Sequence, residues 1–184
     1  MKESKPALFL DRDGVVNRDH GYVFKIENFE FFPEIFEICL LAISSGMPIV
    51  IVTNQSGIGR GYFSESEFQD LTQWMIFQFE SQGITINEVI HAPENPEAPQ
   101  NAHPGRRKPS PAMFLEASVK LELNLENSIM IGDKESDMIS AQKAGIGYRV
   151  LIGKPEGSTV ASDVVEDHQV CVEIVREIVA RIQE

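Results

Sequence analysis

Six short apolar runs, each too short for a helix, recur along the chain with a helical or polar segment between most neighbours. Residues 7–10, 48–52, 86–92, 128–131, 149–152 and 163–165 read as strands. Between them, Pro33 opens a helix whose Ile35, Phe36, Ile38, Cys39 and Ala42 share a face. Ser64-Glu65-Ser66-Glu67 is a capping box leading into a second helix, with Phe68, Leu71, Met75 and Phe79 at helical spacing. Further helices are expected over 110–123, over 135–144 with Gly145 as its C-cap, and from about residue 169 onward. Strands alternating with helices predict an α/β fold, a mostly parallel sheet with helices on both faces. No segment is long enough for a separate cap domain, so residues 1–184 are expected to form one domain whose loops select the ligand.

Charge narrows the partners. Sixteen Lys and Arg against 28 Asp and Glu give a net charge of −12, which repels nucleic acid and anionic membrane. No apolar run approaches the ~20 residues of a membrane span, and Met1-Lys2-Glu3-Ser4-Lys5-Pro6 has no signal-peptide h-region. A cytoplasmic monomer acting on a small molecule is the expectation. Cys39 and Cys171 sit among apolar residues and read as core side chains rather than a disulfide.

The ends of three predicted strands carry the chemistry. Asp11 and Asp13 follow the first, and Gly14 allows a tight turn. In an open α/β sheet ligands bind beyond the carboxyl ends of strands. One acid there can attack while the other, held protonated partly by its neighbour's charge, serves the leaving group. The second run ends in Thr53-Asn54-Gln55-Ser56-Gly57-Ile58-Gly59-Arg60-Gly61, which offers hydroxyl, amide and backbone donors to phosphate oxygens. Arg106-Arg107-Lys108-Pro109 gathers cations, and Gly132-Asp133-Lys134-Glu135-Ser136-Asp137 ends the fourth run with a distal acid. Together these are the parts of metal-assisted phosphoryl transfer.

On those four motifs the chain resembles the haloacid dehalogenase (HAD) superfamily phosphatases. Leu-Asp-Arg-Asp-Gly, the Thr-Asn-Gln-Ser-Gly-Ile-x-Arg-Gly string, Arg-Lys-Pro and Gly-Asp-Lys are similar to its histidinol-phosphatase-like branch. Asp19-His20-Gly21-Tyr22 and Asn28-Phe29-Glu30-Phe31 most resemble the D-glycero-D-manno-heptose 1,7-bisphosphate phosphatases of that branch. The resemblance implies a Rossmann-like core and Mg²⁺-dependent removal of the 7-phosphate through an aspartyl phosphate, on the route to nucleotide-activated heptose and lipopolysaccharide core. By the same resemblance Asp11 is the nucleophile and Asp13 the acid and base. Mg²⁺ would be held by the carboxylates of Asp11 and Asp133 and the carbonyl of Asp13. Thr53, Asn54 and Lys108 would hold phosphate oxygens. Substrate contacts fall to Asp19, His20, Gly21, Tyr22, Gln55, Ser56, Arg107 and Lys134. Lys134 would either reach substrate or neutralise the acids, and Asp137 would either support the site or stabilise a helix start.

The chain departs from its relatives in one respect. Many carry Cys-x-His before the loop at 93–109 and Cys-x-Cys ahead of Arg-Lys-Pro, together a zinc site. The corresponding positions here are Ala92, Glu94, Pro104 and Arg106, with His91 and His103 nearby. No zinc is expected, and the loop must be ordered by prolines and packing or be mobile. A histidinol-phosphate phosphatase is the alternative enzyme. A non-catalytic phosphate-binding or receiver-like module is the other, although a receiver needs no general acid beside Asp11.

Overall fold

Successive side chains of a strand point to opposite faces, so a run such as Leu8-Phe9-Leu10 is stable only if both faces are covered. The computed structural model, which describes residues 4–98, 105–155 and 157–183, covers both. Its parallel strands are β1 (Leu8–Leu10), β2 (Ile49–Asn54), β3 (Glu88–Ala92), β4 (Ile129–Gly132), β5 (Tyr148–Ile152) and β6 (Asp163–Val165). They form one sheet in the order β3-β2-β1-β4-β5-β6. Helices α1 (Glu34–Ser44), α2 (Ser56–Gly59), α3 (Glu65–Ser81), α4 (Ala112–Leu121), α5 (Glu135–Ala144) and α6 (His168–Ile182) make up the remainder. Leu8, Leu10, Ile49, Ile51, Ile129 and Ile131 pack in one apolar layer with α1, α3 and α6. Phe9, Val50, Val52 and Met130 pack in the other with α4 and α5, where the Phe9 and Phe114 rings meet edge to face at 5.2 Å.

Local signals set most boundaries. Ser64 Oγ accepts from the Glu67 N–H at 3.2 Å, and the Glu67 carboxylate accepts from the Ser64 N–H at 2.7 Å. Helix α5 ends at Gly145 with φ of 88°. Cys39 and Cys171 are free and buried in one layer. Two features lie beyond the sequence pattern: the helical turn of α2 inside the glycine-rich stretch, and a 3-10 turn at Ile26–Asn28. Strand β2 also runs past the apolar residues, placing Thr53 and Asn54 in register with His91 and Ala92 of β3. Among the described residues no helix is long and apolar enough to cross a membrane.

The strand order places the site. Strand β1 pairs with β2 on one side and β4 on the other, so the connections leaving β1 and β3 run to opposite halves of the sheet. A crevice opens where order reverses in this way, and Asp11, Thr53 and Asp133 all lie at strand ends around it.

Candidate active site

Asp11 leaves β1 with its N–H donated to the Ile131 carbonyl at 3.0 Å, and its carboxylate accepts from the Arg12 N–H at 2.8 Å. The chain then turns through Gly14 at φ of 91°, and any side chain there would run into the Asp133 carboxylate. Glycine therefore lets the turn after β1 and the loop after β4 close on each other. Carboxylate oxygens of Asp11, Asp133 and Asp137 lie within 4.8 Å of one another. Asp133 Oδ1 is buried with no hydrogen-bond partner among the described residues. Burial pushes Asp11 up to about 7, opposed by Lys108 and reinforced by the charges of Asp137 and Asp133. Burial likewise pushes Asp133 up to about 6. A hard divalent cation fits this set: it would satisfy the unpartnered oxygen and remove the repulsion that opposes ionisation.

Lys108 lies under Asp11. Its Nζ is 2.9 Å from Asp11 Oδ1 and 2.6 Å from Asp137 Oδ1, and it donates to the Val52 carbonyl at 2.9 Å. Three partners use the three protons of an ammonium. Burial opposes its charge, but Asp11 and Asp137 outweigh burial and hold Lys108 above the usual lysine range. Asn54 spends its side-chain amide on the Lys108 backbone, accepting from its N–H at 2.9 Å and donating to its carbonyl at 3.2 Å. Asn54 thus positions Lys108, a task its place in the phosphate-binding string does not suggest. Asp137 performs both tasks left open for it, pairing with Lys108 and accepting from the Lys134 N–H at 3.1 Å at the start of α5.

Asp13 stands in different company from that expected of an acid kept protonated by its neighbour. Arg12 Nη2 lies 2.9 Å from Asp13 Oδ2 and Arg12 Nε 3.1 Å from the same oxygen. Gln55 Nε2 donates to Asp13 at 2.9 Å and Asn17 Nδ2 at 3.0 Å. All of these neighbours are donors. Arg12 is itself buried, and Nη2 also donates to the Val23 carbonyl at 2.6 Å, tying Asp13 to the loop that follows. Sequence reasoning passed over Arg12. The signal was an arginine lodged between two acids directly after a buried strand, where no solvated face exists for it.

Above the acids lies a cleft of about 240 Å³. Asp11 and Asp13 form part of its floor, and Thr53, Asn54, Gln55 and Ser56 one wall. Gln55 Nε2 also donates to Thr53 Oγ1 at 2.8 Å. The loop after β1 contributes Asp19, Gly21 and Tyr22, and Gly57, Arg107 and Lys134 complete the lining. Among the described residues, Arg107 Nη1 is buried without a partner. Burial, then the nearby Arg60, lowers the pKa of Arg107 from the usual arginine value. Lys134 lies 3.3 Å from Asp19 and 3.6 Å from Asp133. Burial opposes its charge, and Asp133, Asp11 and Asp19 more than compensate, holding it above the usual range. Of the residues singled out for substrate, His20 stands apart, exposed and 3.7 Å from Glu30.

At the positions aligned with the expected zinc pattern, Ala92 is buried in the core and Glu94 accepts from the Arg106 N–H at 3.2 Å. The Arg106 side chain turns away to Glu116 at 2.6 Å. Arg60 forms a fork on Glu97 at 2.8 and 3.0 Å, and the Gly59 N–H donates to the Pro93 carbonyl at 3.0 Å. These contacts hold both described ends of the loop. His103 and Pro104 lie outside the described residues.

Comparison with known proteins places these residues among relatives. The HAD-hydrolase-like family model matches residues 105–174. D-glycero-beta-D-manno-heptose-1,7-bisphosphate 7-phosphatase of Vibrio cholerae serotype O1 is 42% identical over 171 residues, 89% of this chain and 92% of that protein. D-glycero-alpha-D-manno-heptose-1,7-bisphosphate 7-phosphatase of Burkholderia mallei is 45% identical over 159 residues, 85% and 84% of the two chains. The crystal structure of D,D-heptose 1,7-bisphosphate phosphatase from B. bronchiseptica, complexed with magnesium and phosphate, shares the fold. It has a TM-score of 0.77 at 24% identity, covering 94% of this chain and 98% of that one.

Proposed function

We propose, because this chain belongs to the heptose-bisphosphate phosphatase family of HAD-like hydrolases and is thus a phosphoric monoester hydrolase, that it removes the 7-phosphate of D-glycero-D-manno-heptose 1,7-bisphosphate. The product would feed the synthesis of nucleotide-activated heptose. The observation that carries this reading is the cleft itself: Asp11, with the Asp133 carboxylate close beside it, is part of the lining, and so is Arg107, whose buried Nη1 has no partner among the described residues. A bisphosphate supplies both a phosphoryl group for the floor and a second anion for the wall.

In the proposed mechanism Asp11 attacks phosphorus and forms an aspartyl phosphate while the P–O bond to the sugar breaks. Lys108, at 2.9 Å from Asp11 Oδ1, orients that carboxylate. Asp13, once it has taken a proton from solvent through the open cleft, would pass it to the departing sugar oxygen and then take one from the water that hydrolyses the intermediate. Arg12, Gln55 and Asn17 stabilise the charge left on Asp13 between the two steps. Thr53 and the neighbouring wall would meet phosphoryl oxygens, where charge grows in the transition state. Asp11 and Asp133 would hold Mg²⁺, with the Asp13 carbonyl as a further ligand. When bound, Mg²⁺ would act as a Lewis acid on the phosphoryl group and screen it from the attacking carboxylate.

Phosphate release from heptose 1,7-bisphosphate, heptose monophosphates and histidinol phosphate tests the reading. The expected order places the bisphosphate first in kcat/KM. Replacing Arg107 with Ala should lower the bisphosphate value roughly ten- to a hundredfold, the loss of a charge-assisted contact, and narrow its lead. Equal efficiency on histidinol phosphate would overturn the substrate assignment. Asp11→Asn should remain folded and abolish turnover, and turnover surviving in it would overturn the covalent mechanism.

A further inference from the structure

Without a separate cap, selection of the sugar must come from the loops that rim the cleft, and two of them meet through a pair of tyrosines. Tyr22, on the loop after β1, lines the cleft and is 47% exposed. Tyr62, just beyond α2, is 56% exposed. Their rings touch edge to face, with centroids 4.8 Å apart and planes at 83°. Tyr22 reaches this position in a left-handed backbone, φ 52°, unfavourable for a bulky side chain and characteristic of functional sites.

The surrounding contacts hold the pair in place. Asp19 accepts from the Gly21 N–H at 2.9 Å and pairs with Lys134, which fixes the turn before Tyr22 to the far side of the cleft. The Val23 carbonyl, immediately after Tyr22, accepts from buried Arg12 at 2.6 Å. On the other loop the Tyr62 N–H donates to the Gly57 carbonyl at 2.9 Å, and the next residue, Phe63, stacks on Phe24 at 5.0 Å. Tyr22 thus holds aromatic surface open to solvent at the mouth of a polar site, and Tyr62, outside the lining itself, extends that surface through the ring contact. Burial in the protein core does not explain it.

We infer that Tyr22 and Tyr62 form a shelf for the non-reacting body of a ring-bearing sugar phosphate, a specificity element resting on the phosphatase reading above. One ring face packs against C–H groups of the sugar, and the phenol hydroxyls meet its hydroxyl groups. The polar floor takes the phosphoryl group, so the shelf engages a part of the ligand that remains unchanged by the reaction. Such remote contacts discriminate a ring from a short polyol carrying the same ester.

Steady-state phosphate release by the parent chain, Tyr62→Ala and Tyr62→Phe on heptose 1,7-bisphosphate, mannose 6-phosphate and glycerol 3-phosphate tests the shelf. Tyr62→Ala should lower kcat/KM on both ring-bearing esters roughly five- to tenfold more than on glycerol 3-phosphate, mainly through KM. Tyr62→Phe, which keeps the ring, should recover most of that difference. An equal fall on all three esters, or none, would overturn the shelf. If the parent chain shows no preference for the bisphosphate, the substrate assignment fails, while the comparison of mannose 6-phosphate with glycerol 3-phosphate still decides the shelf.

Discussion

Lys108 holds two buried carboxylates together, so it has a structural burden beside its place in the site. Removing one partner of a buried ion pair leaves uncompensated charge and costs about 3–5 kcal/mol. Lys108→Met should therefore lower unfolding stability by about 3 kcal/mol in urea titration as well as abolish turnover. A fully stable but inactive variant would show that Asp11 and Asp137 do not depend on the ammonium for their place. Asp11 and Asp133 were legible in the sequence because each lies beside a strand end in a recognisable string, and Lys108 because it sits in the Arg-Lys-Pro string just ahead of a helix. Arg12 and the use Asn54 makes of its amide were not. Their partners, Val23 and Lys108, are 11 and 54 residues away, and only the folded backbone reveals that a side chain has gone to a carbonyl rather than to solvent.

Helix α6 joins the fold through its first residue. His168 is buried, its ring stacks on Phe32 at 3.7 Å, and its Nε2 lies 3.1 Å from the Val15 carbonyl, on the segment just beyond the paired acids. Burial lowers its pKa, with the Val15 contact opposing. The unfolded chain binds a proton near pH 6.5, whereas the folded one resists until a lower pH. The stability due to neutral His168 is complete above pH 6.5 and is lost as pH falls through the folded value. His168→Phe keeps the stack and removes the titration, so its unfolding free energy should fall less steeply between pH 7 and pH 5 than that of the parent chain. Parallel slopes would show that His168 does not titrate differently in the two states. Most elements were legible at this scale because period and caps agree, as at Ser64 and Gly145. The turn of α2 was hidden by its glycines, which read as loop; it packs against the strand-end loop at Pro93, where a side chain on Gly59 would meet backbone.

At the scale of the molecule, the acid cluster should make stability depend on cation. Asp11, Asp133 and Asp137 repel one another in a buried setting, and an ion that binds only the folded chain stabilises it by mass action. With Mg²⁺ at a hundred times its dissociation constant the gain is about 2.7 kcal/mol, or roughly 5–10 °C in Tm for a chain of this size. Differential scanning calorimetry with and without Mg²⁺ should show that rise, and Asp133→Asn should remove most of it. An equal shift in that variant would place the ion elsewhere.

The central position of β1 also has a consequence for the growing chain. The Ala7 N–H meets the Ser128 hydroxyl at 2.9 Å across 121 residues of sequence, and β4 closes the side of β1 that β2 leaves open. During synthesis Asp11, the proposed nucleophile, emerges before β4, so β1 should remain an exposed edge, with its apolar residues half covered, until the fourth strand has left the ribosome. On the proposed mechanism, catalytic competence should therefore be acquired late, when the segment that carries Asp133 docks. A nascent chain halted before residue 128 should be readily digested by protease, and one extended through α5 should be resistant.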